Sequence, residues 1–301
     1  MSTIERAIEK LDKAARKPAV PEPHAADKAA EAVGGAHDEA AHQSLSESLR
    51  DAEQSRDNRI KLDLNRLQAV GIVDADTGKT NQIAEEFRHI KRPLLMHALG
   101  QGASQVHNAN LIMVTSSLAS EGKTFTSINL AMSMAMEMDK TVLLIDADVA
   151  KPQIAHRFGL KDRKGLTDVL LDPDIDLKDV LIRTDFHNLV ILPSGRHHPR
   201  STELLASKSM RRLTEELSTR YADRIVIFDS PPMLLTSEAR VLAGLMGQIV
   251  LVIEESVTPQ PLVKEALGML QDNEIVGLVL NKSQRKQGSD YYGYGYYGYG
   301  E

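Results

Sequence analysis

Six apolar runs of strand length recur along the chain: Leu111–Val114, Val142–Ile145, Leu189–Leu192, Ile225–Phe228, Ile249–Ile253 and Ile275–Leu280. Each is a near-continuous stretch of mainly Val, Ile and Leu, the pattern of a strand covered on both faces. Helix-length segments of mixed polarity separate them. This alternation predicts an α/β fold with a doubly wound, mostly parallel sheet. Right-handed crossovers gather the C-terminal ends of such strands, and with them the ligand site, along one edge. Ahead of the first run, the spacing predicts a helix from about Asn81 to Leu99, with a break or bend near Pro93.

The N-terminal third has a different texture. Ile4, Ile8 and Leu11, with Ala7 and Ala15, form one apolar stripe, and Ser2 and Glu5 have capping-box spacing, so residues 1–17 are expected to be an amphipathic helix that stops at Pro18. The stripe suits docking on the chain's own body, on a partner or on a membrane surface. Residues 18–80 are expected to be a largely disordered linker. Ala, Pro, Glu, Asp, His and Ser dominate its first part, which offers too little apolar surface to offset the entropy of ordering. Short apolar groups follow at Ile60, Leu62, Leu64, Leu67, Val70 and Ile72. The folded domain is therefore placed at 81–282, with a flexible tail at 283–301.

Composition adds three constraints. The 301 residues contain no cysteine, which excludes disulfides and thiolate zinc sites. A net charge of −6 gives no sign of a general nucleic-acid binder. No apolar run approaches the ~18 residues of a membrane span, and no signal peptide opens the chain. One number is odd. Aromatics make up only 4%, yet six of the seven tyrosines crowd the last eleven residues: Tyr291, Tyr292, Tyr294, Tyr296, Tyr297 and Tyr299. Core packing does not explain that distribution.

The first strand runs into Ser116-Ser117-Leu118-Ala119-Ser120-Glu121-Gly122-Lys123-Thr124 and then a helix. A P-loop wraps phosphates so that backbone N–H groups point inward, and the helix N-terminus adds positive charge. Lys123 would neutralise β/γ-phosphate oxygens and the Thr124 hydroxyl would ligate Mg²⁺. The full pattern G-x-x-x-x-G-K-S/T fails only at its first position, Ser117. Two further strands end in carboxylates, Asp146 and Asp148 after Val142–Ile145, and Asp229 before Ser230-Pro231-Pro232. Carboxylates at strand ends share the P-loop's edge, and their hard oxygens suit Mg²⁺.

This trio resembles the Walker A, Walker A′ and Walker B motifs of MinD/ParA-like P-loop ATPases. Within that branch the chain is similar to the bacterial tyrosine kinases (BY-kinases) of capsule and exopolysaccharide synthesis. The closer likeness lies in Asp146-Ala-Asp148 followed by Lys151-Pro152, His156-Arg157-Phe158-Gly159, Gly165-Leu166-x-Asp168-Val169-Leu170, and the terminal tyrosine cluster. Glu85-x-x-Arg88-x-x-Lys91 resembles the family's E-x-x-R-x-x-R oligomerisation motif, with Lys91 in place of the last Arg. The whole pattern is most like the tyrosine autokinases encoded with exosortase (PEP-CTERM) exopolysaccharide systems. One departure is Ser120, where a Gly is usual before Glu-Gly-Lys; it is expected to stiffen the loop.

The resemblance implies an ATP- and Mg²⁺-dependent protein-tyrosine autokinase. Ala119, Ser120, Glu121, Gly122, Lys123, Thr124 and Phe125 would bind nucleotide, and Asn281 would contact adenine. Thr124, Asp146 and Asp229 would hold the metal. Lys123, Asp146 and Asp148 are the catalytic candidates, with Asp148 to accept the proton of the incoming tyrosine. A phenol of pKa ~10 stays protonated at neutral pH, so a positioned base helps. The six tail tyrosines would be acceptors; residues 283–301 span roughly 60 Å when extended, enough to reach a neighbour in a ring or dimer. Also implied are a separate membrane activator of the chain-length-regulator type, a tyrosine phosphatase, no nucleic-acid partner, and a cytoplasmic location with recruitment to the inner membrane face. The rival reading is a MinD/ParA-type ATPase switch controlling membrane or DNA association.

Overall fold

The computed structural model describes residues 59–69, 71–72, 82–101, 106–137, 140–160, 163–219 and 224–283, all within one compact unit, Leu45–Glu301. The expected helix at 1–17, the linker up to residue 58 and the tail from residue 284 lie outside the described residues.

Among the described residues, eight strands form one sheet: β1 (Arg59–Ile60), β2 (Leu111–Ser116), β3 (Thr141–Asp146), β4 (Ile182–Thr184), β5 (Leu189–Leu192), β6 (Arg224–Asp229), β7 (Gln248–Glu254) and β8 (Ile275–Asn281), in the order β1-β4-β5-β3-β6-β2-β7-β8. Every neighbouring pair is parallel except β4 with β5, which is antiparallel. The helices are α1 (Leu64–Ala69), α2 (Gln82–Ala98), α3 (Lys123–Ala135), α4 (Ile154–Arg157), α5 (Leu166–Leu171), α6 (Leu177–Val180), α7 (Ser201–Leu205), α8 (Lys208–Thr219), α9 (Ser237–Ala243) and α10 (Gln260–Met269).

The helices cover both faces of the sheet, because the central strands are apolar on both. In β2, Leu111 and Met113 join a cluster under α5, α8 and α9, while Ile112 and Val114 join one under α1, α2 and α3. Each such fully buried side chain contributes about 1.5–3 kcal/mol, so two-sided burial drives the layering. All six strands expected from the apolar runs are present, each within two residues of its expected bounds. The helix expected at 81–99 runs unbroken through Pro93, anchored by Phe87 and Leu94, both buried in the second cluster.

Two short strands are additions to the expected sheet. The linker expected over 18–80 is corrected at its C-terminal end. There β1 pairs with β4, the Leu62 N–H donates to Asp185 Oδ1 at 2.9 Å, and Leu62, Leu67 and Ile72 are buried. The physical reason is long-range: these few apolar groups have no core of their own but complete one made by α2 and α3. The other addition is β4, three residues long.

Parallel pairing sets the site. The register places Asp146 of β3 beside Asp229 of β6, and Asp229 beside Val114 of β2, two residues before that strand ends. Three adjacent central strands thus deliver their ends to one place.

Candidate active site

The chain leaves β2 at Ser116 and enters α3 at Lys123. The turn between needs left-handed backbone at two positions, Ser120 (φ 69°) and Gly122 (φ 101°). Glycine takes that conformation freely, whereas for serine it costs roughly 1–2 kcal/mol. Other contacts therefore hold the loop. The Ser116 hydroxyl donates to Leu118 O at 2.6 Å, and the Met233 N–H, in the segment after β6, donates to Ser116 O at 2.8 Å. Glu121 turns inward and is buried; one carboxylate oxygen accepts the Leu118 N–H at 2.7 Å and the other accepts the Thr258 hydroxyl. Ala119 and Ser120 are left exposed at the crest.

Beneath the loop lie Lys123 and three carboxylates. Lys123 Nζ is 2.7 Å from Asp148 Oδ2, and Asp148 Oδ1 accepts the Lys151 N–H at 3.1 Å. Asp146 Oδ2 accepts the N–H groups of Gln153 (3.1 Å) and Ile154 (2.9 Å), where α4 begins. Asp229 Oδ1 accepts the Ser127 hydroxyl at 3.1 Å, and Thr124 also donates to this carboxylate. The other oxygens, Asp146 Oδ1 and Asp229 Oδ2, are buried with no hydrogen-bond partner, as is the Ser117 hydroxyl.

The crowding shifts the titrations. Burial, then the Asp229 charge, pushes Asp146 well above the usual carboxylate range, against the pull of the Ile154 and Gln153 N–H groups. Burial pushes Asp229 up to about 6, restrained by the Lys123 charge and the Thr124 and Ser127 hydroxyls. Burial alone would lower Lys123, but Asp229, Asp148 and Asp146 outweigh it and hold the ammonium above its usual value. Such a site is short of positive charge.

Two orphaned buried carboxylate oxygens beside a threonine hydroxyl are what a small hard cation would satisfy. Among the described residues, no three acidic or imidazole groups are set to hold a metal by themselves. Mg²⁺ does not need them: it takes one or two carboxylates and completes its shell with phosphate oxygens and water. Thr124, Asp146 and Asp229 fit that role.

The structure therefore brings together Lys123, Thr124, Asp146, Asp148 and Asp229 under the loop 119–122. Asn281 arrives at the end of β8, where its side-chain amide donates to Glu121 O at 2.8 Å. Phe125 follows Thr124 in α3, and its ring packs 6.2 Å from that of Phe87. Glu85 and Arg88 form an exposed ion pair on α2, but Lys91 points inward, 13% exposed. Its ammonium donates to Ser133 O at 2.8 Å and lies 2.6 Å from Glu137, at the C-terminal end of α3. The six tail tyrosines and Tyr221 lie outside the described residues. Sequence reasoning missed the Glu121 latch, Ser127 and Lys282; only Ser127, one helical turn after Lys123, carries a local signal.

A family model described as an AAA domain matches residues 109–257, from the foot of β2 to just past β7. The chain is similar to the tyrosine-protein kinase YwqD of Bacillus subtilis (strain 168), 34% identical over 215 residues, which cover 70% of this chain and 86% of the relative. It is similar to the putative tyrosine-protein kinase CapB of Staphylococcus aureus, 32% identical over 221 residues, 73% of this chain and 91% of the relative. Among solved structures it is similar to the kinase domain of the Escherichia coli tyrosine kinase ETK, with a TM-score of 0.61 and 28% identity over 74% of this chain and 84% of that one.

Proposed function

Since the chain belongs to the bacterial tyrosine-protein kinases, we propose that it is an ATP- and Mg²⁺-dependent autokinase whose acceptors are its own C-terminal tyrosines, phosphorylated between subunits. The observation that carries this reading is the pair of orphaned oxygens, Asp146 Oδ1 and Asp229 Oδ2, beside the Lys123–Asp148 ion pair and under a phosphate-wrapping loop.

Phosphoryl transfer needs positioning and charge neutralisation more than covalent help. The N–H groups of residues 119–124 and the start of α3 face the phosphates. Lys123 exchanges Asp148 for the β/γ oxygens of the incoming nucleotide. That exchange frees the Asp148 carboxylate to accept the tyrosine proton. The phenolic oxygen then bonds to the γ-phosphorus as the bond to the β,γ-bridging oxygen breaks, and ADP leaves. Thr124, Asp146 and Asp229 hold Mg²⁺, which when bound offsets the negative charge of the phosphates and of the carboxylates. Asn281 borders the adenine side.

Each phosphate adds about −1.5 to −2 charges to the tail. Several would repel one another and loosen a ring or dimer held by docked tails, so phosphorylation toggles assembly. Glu85 and Arg88, exposed on α2, are the contact surface for that assembly, and Lys91 braces their helix against α3. In the cell we place the chain in the cytoplasm, recruited to the inner membrane face by a chain-length-regulator-type activator and opposed by a tyrosine phosphatase, in control of exopolysaccharide synthesis or export. Among the described residues no helix is long and apolar enough to cross a membrane.

The test is the purified full chain with γ-labelled ATP and Mg²⁺. Alkali-stable label on the protein, lost when residues 291–301 are removed, is the expected result. ATP hydrolysis without protein label would overturn the kinase reading in favour of an ATPase switch.

A further inference from the structure

The phosphate loop is gripped by Asn281, which ends β8, and by Lys282, which follows it. The Asn281 side-chain amide donates to Glu121 O at 2.8 Å, and Lys282 Nζ donates to Ser120 O at 2.8 Å. Lys282 also pairs with Glu254 Oε2 at 2.8 Å, at the end of β7. The fit is close: a Cβ on Gly122 would lie 1.9 Å from Asn281 Nδ2. Lys282 itself takes left-handed backbone, φ 59°, which an L-residue adopts only when its surroundings demand it.

Peptide geometry gives these contacts a function. In a planar trans peptide the C=O of one residue and the N–H of the next point in opposite directions. Fixing Ser120 O outward on Lys282 aims the Glu121 N–H the other way. Fixing Glu121 O outward on Asn281 does the same for the Gly122 N–H. Two successive amide donors are then turned together toward the side where a phosphate is wrapped. Ser120 makes the grip necessary, since a serine at φ 69° does not hold that conformation unaided.

We propose that Asn281 and Lys282 are positioning residues that hold the phosphate loop in its anion-binding shape, with Lys282 compensating for Ser120. The proposal rests on the nucleotide-binding reading above and adds two residues that shape the loop, Lys282 without touching the nucleotide. In sequence, the expected tail at 283–301 follows Lys282 directly.

The experiment is calorimetric binding of a non-hydrolysable ATP analogue with Mg²⁺ to the full chain, alongside steady-state kinetics and melting curves. Lys282→Met is expected to weaken binding about tenfold, the effect of losing one charge-assisted hydrogen bond. KM for ATP should rise with it, while kcat at saturating ATP and the melting temperature stay close to wild type. Lys282→Arg, which keeps a donor, should recover most of the affinity. In a Ser120→Gly background the Lys282→Met penalty should shrink, because glycine holds the loop shape without help. Unchanged binding in Lys282→Met, or a loss matched by a lower melting temperature and not rescued by arginine, would overturn the clamp and leave the kinase reading standing. A wild-type chain that binds no Mg²⁺-nucleotide would overturn both.

Discussion

Replacing Asp229 by asparagine removes a charge that the folded chain holds at a cost. Burial lifts this carboxyl from its ordinary 3.8 to about 6. A shift of about two units corresponds to about 3 kcal/mol between the two protonation states. Between about pH 4 and 6 the native state binds this proton more tightly than the unfolded state. Without metal, stability therefore falls as pH rises through that window and is flat above it. Asp229→Asn keeps the shape and drops the charge, so at pH 7.5 in EDTA the variant should be more stable by about 3 kcal/mol, or about 6–12 °C in melting temperature. At pH 4.5 wild-type Asp229 is mostly protonated in the folded chain, and the advantage should shrink to about 1 kcal/mol. Mg²⁺-ATP closes the gap: at a hundred times Kd it stabilises the wild type by about 2.7 kcal/mol, while the variant, short of a metal ligand, gains little; at a thousand times Kd the gain of about 4.1 kcal/mol puts the wild type ahead. Thermal melts at both pH values, with EDTA and with Mg²⁺-ATP, make the comparison. A variant that melts at or below wild type in EDTA at pH 7.5, or one whose gain is equal at pH 4.5, would refute the account of Asp229 as a buried charge held for a cation.

Three other outcomes follow from the same geometry. Lys123→Met should lower phosphoryl transfer by about 10²–10³-fold or more in a labelling assay, because it removes the cation that meets the β/γ oxygens. Asp168→Ala should cost about 2–3 kcal/mol in urea unfolding, because that buried carboxylate accepts the Gly165 N–H (2.9 Å), the Arg196 N–H (3.1 Å) and the Arg196 Nε–H (2.8 Å), tying α5 to the loop after β5. Deleting residues 291–301 should remove nearly all phosphotyrosine by mass spectrometry, since only Tyr221 remains to accept phosphate on tyrosine.

The central strands were legible because burial on both faces writes itself as unbroken Val/Ile/Leu runs, and their terminal aspartates stood out against those runs. Short elements were not. β1 and β4 bury too few residues to make a pattern, and β1 exists only because β4, more than a hundred residues on, offers it an edge. The residues gathered under the loop could be read from the sequence and their supports could not. Glu121 looked like one more residue of a phosphate-binding loop. Its carboxylate is spent on Leu118 and on Thr258, a contact across 137 residues that no local spacing announces. Lys91 was expected to act with Glu85 and Arg88 and instead joins α3, since a single ammonium suits the carbonyl of Ser133 and the carboxylate of Glu137.

The order of the strands has a mechanical consequence. The chain enters the sheet at one border, β1, and leaves it at the other, β8, while β2, β3 and β6 lie between them. A tug applied between the two ends loads the sheet across its width and peels the borders first. The β1 border is fastened over two residue pairs and the β8 border over seven. Under tension the two-pair seam therefore opens first, as a fuse. Force arriving through the N-terminal extension is shed there before it reaches the strands that carry the aspartates.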